Sequence, residues 1–137
     1  KSAPHMGWIL GFATMASLGL PGLAGFWGEF PAILSAYNPG AGLSEELFRT
    51  YMVIAAIGTV LAAGYLLWLY QRTAFGEPTE EFADHEIPDV SRNEWIAWVP
   101  FLIGIVLFGV WPNLIFNLTD GVVSSITANV EAVVAGR

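Results

Sequence analysis

The chain has 137 residues, 55% of them hydrophobic and only 12% charged, with no cysteine and a net charge of −7. A soluble domain carries about 25% charged residues, so half that load and a mean hydropathy of +0.57 exclude a disordered chain, a nucleic-acid binder and an ordinary cytosolic enzyme. Without cysteine there is no disulfide, zinc-thiolate site, iron–sulfur ligation or thiol catalysis; the composition is that of a membrane protein, and its charge-free windows make it an all-α, polytopic one.

Formal charges are missing from residues 2–28 (His5 taken as neutral), 50–71 and 95–119. Each window supplies the roughly 20 residues that cross a bilayer core as helix. Spanning backbone must satisfy its own hydrogen bonds, and no ten-residue alternation of a membrane barrel is present, so three helical spans are predicted, at about 6–37, 50–75 and 95–118. The first lacks the basic leader and cleavage site of a signal peptide. The chain opens Lys1-Ser2-Ala3-Pro4 rather than on Met and is expected to be a piece of a longer polytopic protein.

The first span is too long for one rod: 32 residues would reach about 48 Å as helix. Its middle reads Gly19-Leu20-Pro21-Gly22-Leu23-Ala24-Gly25. Pro21 cannot donate to the preceding turn and its ring clashes there, while Gly22 and Gly25 free the backbone further. These three residues predict a helix break. Before it, Gly7, Gly11, Ala13 and Ser17 lie at helical spacing and suit close packing; after it come Glu29 and Pro31.

Asn38-Pro39-Gly40-Ala41-Gly42 is a turn cluster, and Ser44 before Glu45 and Glu46 reads as an N-cap. The second span ends with Tyr65, Trp68 and Tyr70 as an aromatic belt. Residues 76–94 form a polar loop, in which Asp84, His85 and Glu86 read as solvated side chains rather than a metal site. The third span runs from Trp95 past Pro100 to Trp111-Pro112 and on to about residue 118. Val122, Val123, Ile126, Val130, Val133 and Val134 then mark an amphipathic helix over 121–135. Its polar face has no Lys or Arg, which favours packing on protein over lying on lipid. Lys1, Arg72 and Arg92 fall on one side of the spans and Arg49 on the other, so the 76–94 loop is expected to be cytoplasmic and the C-terminus external.

Glu29 is the only acidic residue inside a predicted span, and Arg72 is at the very end of the second. An ionisable group at membrane depth costs several kcal/mol and marks an ion path. Unwound backbone at depth is tolerated where it lines a cavity or protein. The plainer alternative is a span ending at Gly28, with Glu29 at headgroup level. His5, beside Pro4, reads as an interfacial residue.

The run from Met15 to Phe30, Met-Ala-Ser-Leu-Gly-Leu-Pro-Gly-Leu-Ala-Gly-Phe-Trp-Gly-Glu-Phe, resembles the broken twelfth helix of the antiporter-like membrane subunits. Among them it is most similar to subunit M of proton-pumping NADH:quinone oxidoreductase (respiratory complex I). Arg72–Gly76 resembles that family's exit from helix thirteen. Ile87-Pro88-Asp89-Val90-Ser91 with Asn93-Glu94 resembles its approach to helix fourteen, and Gly109-Val110-Trp111-Pro112 the end of that helix.

The resemblance implies the C-terminal part of such a subunit, helices twelve to fourteen and an amphipathic helix, in a bacterial plasma membrane. It also implies that Glu29 is the last proton carrier of a half-channel whose other members lie upstream, with Pro21 and Gly22 at the break. The chain itself would hold no cofactor, metal or redox centre. The complex would use NADH, FMN, iron–sulfur clusters and a quinone, and the neighbours would be L- and N-type antiporter-like subunits. Two alternatives stay open: a subunit of a multi-subunit cation/proton antiporter or membrane-bound hydrogenase of the same ancestry, and a purely structural helix set with Glu29 in an interfacial salt bridge.

Overall fold

Pro4 opens the first helix, where its missing N–H is no loss and its fixed φ suits the helix. In the computed structural model, which describes residues 3–40, 42–77 and 88–136, that helix is α1 (Pro4–Ser17). Four more follow: α2 (Ala24–Ser35), α3 (Glu45–Ala74), α4 (Arg92–Val110) and α5 (Asn113–Ala135). Among the described residues there is no strand. Asp84, His85 and Glu86 lie outside the described residues.

The first span is broken. The 14 residues of α1 reach about 21 Å and the 12 of α2 about 18 Å, so neither half crosses a core of about 30 Å. By contrast, α3 and α4 are each long and apolar enough to cross a membrane.

The ends of α3 and α4 follow from local chemistry. Ser44 Oγ accepts from the Leu47 amide at 3.4 Å, with Glu45 and Glu46 in the first turn and Arg72 in the last, where each charge complements the helix dipole. At the start of α4, Glu94 Oε2 accepts from the Ser91 amide at 2.7 Å and Ser91 Oγ from the Glu94 amide at 3.4 Å, a reciprocal capping box. That box starts the helix at Arg92, inside the segment expected to be loop.

The third span departs from expectation at its far end. Trp111 (φ −124, ψ 64) leaves the helical region, and Pro112 has no N–H with which to continue α4. A new helix starts at once, with the Ile115 and Phe116 amides donating to the Pro112 carbonyl at 2.9 and 3.1 Å. Residues 113–118 therefore belong to α5, which begins at Asn113 rather than near residue 121. The apolar run Leu114-Ile115-Phe116 hides this corner from any hydropathy argument.

α1 packs against α3 and α2 against α4. A Cβ on Gly11 would stand 2.6 Å from Tyr70 Oη, so the bare glycine admits the phenol. Tyr70 thus packs on α1, and Tyr65 and Trp68 are left exposed as the outward aromatics. Among the described residues and glycines aside, the buried ones are Ile9, Thr14 and Ala16, all on α1. Large apolar side chains such as Trp8, Phe101 and Leu118 are 78%, 70% and 81% exposed. A fold that covers so little of its own apolar surface requires lipid or further helices around it.

Candidate functional site

The break between α1 and α2 is built on two left-handed glycines. At the end of α1 the Leu18 amide donates to the Thr14 carbonyl at 3.0 Å and the Gly19 amide to the Ala16 carbonyl at 3.2 Å. The chain then turns at Gly19 (φ +66) and Gly22 (φ +91), a region in which side-chain-bearing residues pay a steric penalty. Between them, the Leu23 amide closes a turn on the Leu20 carbonyl at 3.0 Å. Pro21 and Gly22 lie within the break, as expected. Gly25 does not: it is the second residue of α2. Its bare Cα faces the Ala16 carbonyl, where a Cβ would collide with backbone, so Gly25 lets the two half-helices touch.

Glu29 reaches back to this break. Helical side chains lean towards the N-terminus, and from the second turn of α2 the Glu29 carboxyl comes to rest over Gly19. Its Oε2 lies 3.1 Å from the point that a Cβ on Gly19 would occupy. Within this chain the side chain is exposed, and the preceding helix is interrupted rather than a continuous rod. Two residues on, Pro31 sits inside α2 and has no N–H for the Trp27 carbonyl one turn earlier. Glu29 therefore stands between two interruptions of the backbone hydrogen-bond ladder, at the break and at Pro31.

The end of α4 closes over the break from the other side. Gly109 packs on the backbone of Gly22 and Leu23 so tightly that a Cβ would overlap the Gly22 carbonyl. Trp27 Nε1 donates to the Gly109 carbonyl at 2.7 Å, and its ring meets Phe116 of α5 edge-on at 6.1 Å. Gly19, Gly109 and Trp27 were not singled out by sequence reasoning as site residues. Gly19, two residues before Pro21 in a Gly-rich turn, carried a readable signal; the other two depend on tertiary contact.

At the opposite end of α1, His5 is tied to the loop before α4. Asp89 accepts from the His5 and Met6 amides at 3.0 and 3.1 Å, and its Oδ2 lies 2.6 Å from His5 Nδ1. These are the two amides that an N-cap side chain normally satisfies, and Ala3 at the N-cap offers none. Partial desolvation pushes the Asp89 carboxyl up, but hydrogen bonds from His5, Val90 and Met6 outweigh it and hold the carboxyl well below the usual carboxylate range. A depressed pKa stabilises the fold above the unfolded value near 4 and loses that contribution as pH falls further. Asp89→Ala should speed hydrogen exchange at the His5 and Met6 amides about ten-fold, the scale of a lost N-cap. Exchange rates equal to wild type at neutral pH would remove Asp89 from this role.

Among the described residues there is no group of three His, Asp or Glu placed to hold a metal ion.

No family model matches the chain. Individual curated proteins do. It is 32% identical over 126 residues to NADH-ubiquinone oxidoreductase chain 4 of Arabidopsis thaliana, covering 92% of this chain and 24% of that protein. It is 33% identical over 129 residues to NADH-quinone oxidoreductase subunit M of Rhodobacter capsulatus, covering 94% and 23%. With the subunit M of Rickettsia felis the identity is 36% over 106 residues, covering 77% and 20%. The chain thus spans about a quarter of the length of the curated relatives it matches.

Proposed function

Over most of its length this chain is a homologue of NADH-quinone oxidoreductase subunit M and NADH-ubiquinone oxidoreductase chain 4, and from that kinship we propose that it serves the membrane arm of such a complex as part of a proton-translocating subunit. The relatives' names favour this over an antiporter or hydrogenase subunit. Electron transfer with NADH, FMN, iron–sulfur clusters and quinone belongs to other subunits, and this chain takes no catalytic part in it. L- and N-type antiporter-like subunits are its neighbours. The 76–94 loop faces the cytoplasm and the C-terminus the outside of a bacterial plasma membrane.

Glu29 is the proton carrier in this reading. The observation that carries it is the seating of the Glu29 carboxyl against Gly19 at an interrupted helix. A carboxylate in hydrocarbon is expensive and a carboxylic acid is far less so, so small changes in the surrounding charge decide whether the group holds its proton. Charge movements that begin with quinone reduction elsewhere in the complex would alternate the two states. Water reaching the break from one side at a time would give the transfer its direction.

Infrared difference spectra of the complete complex, turning over minus resting, test this directly. They should contain a protonated-carboxyl C=O band that disappears in Glu29→Gln. Spectra that are identical for wild type and variant would overturn Glu29 as the carrier.

A further inference from the structure

We propose that Trp27 is a positioning residue for Glu29, clamping the half-helix α2 to the end of α4 so that the carboxyl stays seated at the break; this deepens the reading of Glu29 as proton carrier and rests on it. The last carbonyls of a helix have no intrahelical partner. Had α4 continued, the Gly109 carbonyl would have accepted from the amide of residue 113. The corner at Trp111-Pro112 removes that donor, and Trp27 Nε1 supplies one instead at 2.7 Å.

The same glycine that receives the indole proton is pressed onto Gly22 and Leu23. The end of α4 therefore holds the break and α2 at once, at two points on either side of the helix restart. Phe116 of α5 meets the indole at 6.1 Å, so the junction between α4 and α5 bears on the same ring.

The geometry of α2 turns this clamp into control over Glu29. Two residues along a helix are a rotation of about 200°, so Trp27 and Glu29 occupy nearly opposite faces. Trp27 faces α4 and α5, and Glu29 faces back to Gly19. Pinning one face sets the rotation of the whole half-helix. That setting matters here because α2 is short, has no side-chain cap at Leu23 and lacks a hydrogen bond at Pro31. Without the indole bond it can turn or slide, and the carboxyl leaves Gly19.

Trp27→Phe in the assembled complex tests this, since it keeps the aromatic edge towards Phe116 and deletes only the N–H. Assembly and NADH-driven electron transfer should stay near wild type. Protons moved per electron should fall about three-fold or more, the scale of one lost hydrogen bond, and the Glu29 carboxyl infrared band should shift. An unmoved band with an unchanged proton ratio would overturn the inference. So would a parallel loss of assembly, electron transfer and pumping, which marks a purely structural tryptophan. Glu29→Gln measured alongside separates the two claims. If no band depends on Glu29, the carrier reading falls and Trp27 positions nothing. If the band is present but Trp27→Phe leaves it in place, only the positioning role falls.

Discussion

Coupled proton pumping by the reconstituted complex is expected to drop roughly a hundred-fold or more in Glu29→Gln, the low end of what removing a positioned proton-transfer group costs, with the amount of assembled complex unchanged. Glutamine has nearly the same size and keeps an oxygen to lay against Gly19, so the turn at Gly19 and Gly22 has no reason to rearrange. Only the ability to ionise is lost. The energetics are within reach of one group. Moving a unit charge against 100 mV takes about 2.3 kcal/mol, which lies within the several kcal/mol that separate an ionised carboxylate from a carboxylic acid in an apolar surrounding. A pH-sensitive dye trapped in proteoliposomes reads the outcome. Normal pumping by the variant sinks the carrier role. Reduced assembly would instead point to a salt bridge holding helices together, because there the lost charge would leave a partner cation unpaired in the membrane.

How far these features can be read from sequence depends on whether their cause is local. The spans are legible because hydrocarbon excludes charge, and 50–71 and 95–119 carry none. The break is legible because Gly19-Leu20-Pro21-Gly22 concentrates residues that cannot continue a helix. The place of Glu29 is legible because a carboxyl beside such a break is rare enough to stand out. Gly25 was given the wrong task for the same reason: local rules count any glycine near a break as part of it. What fixes Gly25 is the Ala16 carbonyl, which only the folded half-helices bring within reach. Asp89 caps α1 from 84 residues away, and no local motif announces it. The restart of α5 at Asn113 is intermediate: Pro112 signals it, but the apolar residues on both sides outweigh a single proline in any window of hydropathy.

Gly109→Ala is expected to be strongly damaging for a change of one methyl group. Its Cβ would overlap the Gly22 carbonyl and press on Leu23 Cα, and both are backbone atoms that cannot swing aside as a side chain would. Overpacking of this kind costs about 1–3 kcal/mol when side chains can yield, and the upper end applies where backbone must move. The shift would lift α4 from the break, draw the Gly109 carbonyl away from Trp27 Nε1 and unseat α2 with Glu29. Gly104→Ala is the control on the same helix, because only a Phe108 ring carbon lies near its would-be Cβ, at 3.9 Å, an ordinary contact. Membranes from the two variants should therefore differ, with assembled complex strongly depleted in Gly109→Ala and close to wild type in Gly104→Ala. Equal assembly in both would show that α4 does not rest on the break. The contrast is informative for function as well, because the residue that tolerates no side chain is the one through which α4 reaches both the interruption and the half-helix bearing the carboxyl.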